Sequence, residues 1–187
     1  GAPHREVWVY KDSDDSYFGK ITRNLVPWFG CNVYVSTDTT HVRIFIMNDP
    51  FTVNSNSAGH VYCYSSPKAA ANFTLEHTWA ATAVYNKKYG VEIKGWMSDS
   101  HEFIVIAHEM HARAEFYRRS LTGTTWEDWG NTGQLGQLGS LAIHKIDNTK
   151  VLIAAGNNQT AGSNRIRVGH MPYDTAIAHG DYDYQYH

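Results

Sequence analysis

The sequence predicts an all-β protein: an antiparallel β-barrel or sandwich with long decorated loops and one short helix. Three observations lead there. Aromatic residues make up 13% of the chain, and Val, Ile and Thr are abundant beside them, which is the side-chain bias of pleated surfaces. Apolar and polar residues alternate in short runs, the period of a strand with one buried face. Clusters of Asp, Asn, Ser, Gly and Thr separate many of these runs by only a few residues, as hairpins require. About nine strands follow from this pattern, and no fixed-period repeat marks a propeller or solenoid.

Taken in order, "EVWVY" (6–10) alternates and is closed by the polar loop "KDSDDS" before Tyr17-Phe18. "CNVYVST" (31–37) and "HVRIFIM" (41–47) flank Asp38-Thr39-Thr40 as a hairpin, with Val42, Ile44 and Ile46 on one face. Asp49-Pro50 ends that strand because proline has no N–H to donate and restricts its predecessor. "NSNSAG" then loops into the strand "HVYCYS". Ser66-Pro67-Lys68-Ala69-Ala70-Ala71 carries the one helix start, with serine as N-cap, proline at the first helical position and three alanines behind.

From Thr74 the β texture returns. "TLEHTWAATAVY" (74–85), a turn at "NKKYG" and "VEIKGWM" read as two strands, and Asp99-Ser100 punctuates before the next. "GTTWEDWGNTGQLGQLG" (123–139) is polar and glycine-rich and is expected to be a long surface loop, of a length that is uncommon without a function. "SLAIHKI" and "KVLIAAG" frame Asp147-Asn148-Thr149 as another hairpin, and "NRIRVGHM" supplies a last strand. The tail "DYDYQYH" is expected to be an edge strand or a disordered end.

A length of 187 residues fits one domain over 1–187 with a real core. A net charge of −2, from 16 basic and 18 acidic residues, exerts no pull on nucleic acid or anionic membrane, and no apolar run is long enough to span a bilayer. Gly1-Ala2-Pro3-His4 has neither the basic nor the apolar region of a signal peptide. Cys31 and Cys63 sit in strand-like surroundings, where either one disulfide or two free thiols is possible. The triplets Asn72-Phe73-Thr74 and Asn158-Gln159-Thr160 match a glycan acceptor pattern that also arises by chance.

"IVIAHEMHARAEF" (104–116) nearly spells the zinc-protease signature, which needs two histidines one helical turn apart. Here His108 and His111 are three residues apart, one short of that spacing. On a helix they would fall near Glu115, a conceivable two-histidine, one-carboxylate set. The alternation of the segment favours a strand instead, on which His108 and His111 point to opposite faces and cannot share a metal. No metal and no cofactor are therefore expected, and a metal-dependent hydrolase is the weakest of three functional readings. No thiol pair, phosphate-binding loop, nucleophile elbow or dinucleotide fingerprint is present either. His101, His144, His170 and His179, and the acidic pairs Asp14-Asp15 and Glu127-Asp128, read as scattered surface groups rather than as a site.

Aromatic residues in polar surroundings point to recognition. Trp28-Phe29, Trp96, Trp126 and Trp129 each offer a flat face with a polar handle, suited to a sugar ring or a protein partner. The candidate receptor- or glycan-binding set is Trp126, Asp128, Trp129, Asn131 and Gln134, with no catalytic residues assigned.

Two stretches, "VWVYKDSDDSYFG" (7–19) and "NLVPWFGCNVYV" (24–35), resemble the opening strands of an astrovirus capsid spike, more the avian than the human kind. That resemblance implies a compact β-barrel spike that forms a homodimer on the virion surface, binds a host-cell receptor, attracts neutralising antibodies and needs no cofactor. It carries over no particular residue. The leading functional expectation is thus a capsid spike domain for attachment. The alternative is a secreted carbohydrate-binding lectin that uses the aromatics of segment 123–139.

Overall fold

The computed structural model describes residues 5–23, 29–48, 59–80, 92–108, 113–132, 138–147, 149–157, 166–172 and 185–186. Fourteen strands and no helix lie among them, and all of their pairings are antiparallel. The chain divides into two compact units, Gly1–Asn86 and Lys87–His187.

In the first unit, β1 (Glu6–Tyr10) and β2 (Tyr17–Thr22) form a hairpin, and β3 (Phe29–Thr37), β4 (His41–Asn48), β5 (His60–Pro67) and β6 (Thr74–Ala80) form a sheet in sequential order. The β3–β4 hairpin appears as its sequence predicts. Val42, Ile44 and Ile46 share one face of β4, and that face packs with Ile21, Phe29, Tyr62 and Tyr64. Val7, Val9 and Phe18 of the hairpin pack against this cluster, so the hairpin lies as a second layer on the sheet. Contact is close enough that two positions require glycine. A Cβ on Gly19 would come within 2.9 Å of the Ala71 methyl. Gly30 adopts a φ of 89°, where other side chains are strained, and a Cβ there would meet Val7. Arg23 closes one end, its guanidinium 4.1 Å from the Tyr62 ring centroid and donating to the Tyr64 hydroxyl at 3.0 Å.

In the second unit, β7 (Glu92–Met97), β8 (His101–His108), β9 (Arg113–Ser120) and β10 (Trp126–Asn131) form one sheet, and β11 (Leu138–Lys145), β12 (Lys150–Asn157), β13 (Ile166–Pro172) and β14 (Gln185–Tyr186) form another. Phe103, Val105, Phe116 and Trp129 from the first sheet share one core with Leu141, Val151 and Ile153 from the second. Two sheets joined by one apolar layer make a sandwich. Trp96 and Phe103 stack in that layer with centroids 5.0 Å apart. The Leu141 N–H donates to the Glu92 carboxylate, which ties β11 to β7. Of the two architectures that the sequence allows, the sandwich is the one formed, and no sheet closes into a barrel among the described residues.

The helix expected at Ser66–Ala71 does not form. Ser66 and Pro67 end β5, in register with Val42 and His41, and the Lys68 N–H donates to the Thr40 carbonyl at 2.9 Å. The Ser66 hydroxyl does act as a cap, but of a turn: it accepts from the Asn72 N–H at 2.8 Å and donates to the Ala70 carbonyl at 3.1 Å. A helix of two turns has little intrinsic stability, and strand pairing overrides the alanines. The expected strand 74–85 is described as far as Ala80, and the expected turn 86–90 lies outside the described residues.

Segment 104–116 is not one strand but the two arms of a hairpin, with His108 opposite Arg113. The apolar-polar alternation ran smoothly through the reversal and concealed it. The predicted loop 123–139 contains strand β10 and the start of β11. Its glycines are compatible with strand structure because Gly130, at a φ of 101°, takes up a bulge between Asp128 and Gly130. Cys31 and Cys63 do not form a disulfide with each other, Cys31 being exposed and Cys63 buried.

Candidate functional site

The predicted binding set does not assemble into a platform. Trp126 and Trp129 lie three apart on a strand, so they point to opposite faces of the sheet. Trp126 pairs in register with Arg119, whose guanidinium lies 5.7 Å from its ring. Trp129 joins the core between the sheets, with the Arg118 guanidinium 3.2 Å from its ring centroid. Each indole is only 8% exposed, and Asn131 is buried as well. Asp128 is exposed, but it accepts from the Gly130 N–H at 2.8 Å and so serves the bulge. Gln134 and Trp28 lie outside the described residues. Phe29 and Trp96 are core residues. The aromatics that looked exposed in the sequence are largely the ones that fill the interior.

The histidine segment likewise yields no metal centre among the described residues. Glu115 is engaged by Arg113, at 2.6 Å from Nη2 and 3.1 Å from Nε, and by the Tyr117 hydroxyl at 2.8 Å. His111 lies outside the described residues. Of the acidic pairs, Glu127 binds Arg118 at 2.9 Å, and Asp14 accepts from the Ser16 N–H at 3.0 Å. The Ser16 hydroxyl first, and then this N–H bond, hold the Asp14 carboxyl below its ordinary range.

Exposed rings gather elsewhere, on the outer face of the β1–β2 hairpin. The alternation of β1 sends Val7 and Val9 inward and leaves Glu6, Trp8 and Tyr10 outward. Cross-strand pairing sets Trp8 opposite Lys20, Glu6 opposite Thr22 and Tyr10 opposite Tyr17. Trp8, Tyr10 and Tyr17 are 55%, 57% and 51% exposed. Tyr17 joins the other two rings, with centroids 5.7 Å from Trp8 and 6.0 Å from Tyr10. The Lys20 ammonium sits 5.6 Å from the Trp8 centroid and donates to Glu6 at 2.7 Å. Glu6 also accepts from the Thr22 hydroxyl at 3.3 Å. The hydrogen bond to Glu6, then its charge, raises the Lys20 pKa, so the ammonium stays charged at neutral pH.

The result is a strip of three aromatic rings joined through Tyr17 and ending in a carboxylate, an ammonium and a hydroxyl. Such a strip can stack on a flat apolar face and hydrogen-bond the polar groups around it. Its sequence signal was available. In "EVWVY" the inward positions are valines and the outward ones are aromatic or acidic, the reverse of a hairpin whose solvent face carries only polar groups.

No protein-family model and no curated protein matches this chain.

Proposed function

We propose that the chain is a receptor-attachment domain, of the kind implied by its resemblance to capsid spikes, and that it contacts its receptor through the outer face of the β1–β2 hairpin. One observation carries the choice of surface: Trp8, Tyr10 and Tyr17 are each more than half exposed, yet the Tyr17 ring contacts both of the others. Tryptophan and tyrosine supply large, rigid contact area, and they dominate the energetics of recognition surfaces. The strip also falls within residues 7–19, the first of the two stretches that carry the resemblance.

The polar end of the strip favours a saccharide as the contacted group. A sugar ring presents C–H faces for Trp8 and Tyr17, and hydroxyls that could bond Glu6, Lys20 and Thr22. A free-standing lectin would use the same surface, and only the assembly state separates the two readings.

A glycan array probed with the intact chain and with a Trp8→Ala/Tyr17→Ala variant tests this. The native chain is expected to bind a saccharide that the variant does not, with the variant's circular dichroism unchanged because both rings are largely outside the core. Equal binding by the two proteins would remove the strip from the account. Cell-surface binding without any glycan ligand would move the proposal to a protein receptor.

A further inference from the structure

A second site lies beneath the hairpin, between its inner face and the sheet. There an open cleft of about 700 Å³ lies within the first unit, inside the ~300–1,000 Å³ range of small-molecule pockets. Val7, Trp8, Val9 and Tyr10 line it from β1, and Val42 and Ile44 line it from β4. The latter two are buried. Val33 and Val35 continue the same sheet face, opposite Ile46 and Ile44 in register. They line the cleft as well, and they remain 40% and 51% exposed. The hairpin covers one part of an apolar face and leaves the adjoining part open to water, an arrangement that is unfavourable unless something fills it.

The distribution of polar groups restricts what that could be. Lys11, Asp12, Ser13, Thr37 and Lys68 line the cleft, and all five are exposed. A ligand's inner portion would therefore meet the valines and Ile44, and its outer end would meet two ammonium groups, one carboxylate and two hydroxyls. Asp14 also acts on Lys11, but it is not a lining residue and its carboxylate is engaged by Ser16.

We infer that this cleft binds a single-chain amphiphile with an anionic head, its alkyl chain against Val33, Val35, Val42 and Ile44 and its carboxylate or phosphate between Lys11 and Lys68. A saccharide does not suit the cleft, because a hydroxyl placed against the valines would lose its water without gaining a partner. The cleft adjoins the strip, because Trp8 and Tyr10 line it as well, but Lys11, Lys68 and Val35 are not part of the strip, so substitutions there test the cleft apart from receptor binding.

Isothermal titration of the intact chain with laurate, below its micellar concentration, is the test. Saturable binding is expected, weakened by about tenfold or more in Lys11→Ala/Lys68→Ala through loss of the charge-assisted contacts. It should be abolished in Val35→Glu, which places a like charge in the open side. Dodecyltrimethylammonium, with the same chain and the opposite charge, is expected not to bind. Absence of laurate binding, equal binding of the cationic analogue, or laurate binding indifferent to all three substitutions would each overturn the inference. So would a self-associated chain that takes up no laurate and that Val35→Glu dissociates, since the cleft would then be an interface between copies.

Discussion

Glu102 and Arg119 face each other across β8 and β9, with Arg119 Nη2 2.6 Å from Glu102 Oε2 and each side chain 1% exposed. Arg119 also donates to the Gly123 and Ser120 carbonyls, at 2.5 and 3.1 Å, which fixes the turn that leads into β10. A buried pair of this kind offsets its own desolvation only while both members are present. Arg119→Met is therefore expected to destabilise the protein by about 3–5 kcal/mol, because a carboxylate is left buried without its counter-ion. Adding Glu102→Gln to it should recover a large part of that loss. Urea denaturation of the two variants measures both effects, and a double variant no more stable than Arg119→Met would contradict the explanation.

Acid should weaken the first unit through Asp38. Burial acts to raise the pKa of this carboxyl. It is outweighed by the Arg43 guanidinium at 2.6 Å and by bonds from Thr40 and His41, which together hold the group far below its ordinary value of 3.8. A carboxyl depressed in the folded state contributes stability that is complete above its unfolded pKa and is lost as pH falls through the folded one. Thermal melts from neutral pH down to about 2 should show that decline, and Asp38→Asn should flatten it while costing about 1–3 kcal/mol at neutral pH.

Contact between the hairpin and the sheet is tested at Gly19. A methyl there would meet the Ala71 methyl at 2.9 Å, and neither group can rotate away. Gly19→Ala should destabilise by about 1–3 kcal/mol, as overpacking does. Gly19→Ala/Ala71→Gly should restore part of that loss. Failure of the second substitution to help would mean that the first acts through the backbone instead.

Assembly state bears on the spike reading. Light-scattering chromatography is expected to give twice the chain mass, the homodimer that the resemblance implies. A monomer at micromolar concentration would transfer the weight to the lectin.

Local chemistry was readable in the sequence wherever a short-range hydrogen bond decides the structure. Asp38 and Asp147 each accept from the backbone two and three residues on, at 2.8 and 2.7 Å for Asp38 and at 2.7 and 3.1 Å for Asp147. Ser98 does the same before β8, at 3.3 and 3.0 Å. Such turns follow from residue type alone, so the hairpins at Asp38 and Asp147 match the sequence expectation, as does the break between strands at Asp99-Ser100. What was not legible depended on partners distant in sequence. The alanines after Ser66 favoured a helix until β4 claimed that backbone. Trp126 and Trp129 looked like loop aromatics because the glycines around them read as turns, whereas one of those glycines absorbs a bulge within a strand. Aromatic residues are costly to expose, and that cost favours their burial over a surface role. The strip on the hairpin is legible only when the outward positions of "EVWVY", Glu6, Trp8 and Tyr10, are read beside its inward valines.

Trp8, Tyr10 and Tyr17 form the proposed contact surface, and its most direct test is the binding of labelled chain to host-cell surfaces, native against Trp8→Ala/Tyr10→Ala/Tyr17→Ala. The prediction is saturable binding by the native chain and its loss in the triple variant, with unchanged circular dichroism and melting. Saturable binding of equal strength by a folded triple variant would contradict the assignment.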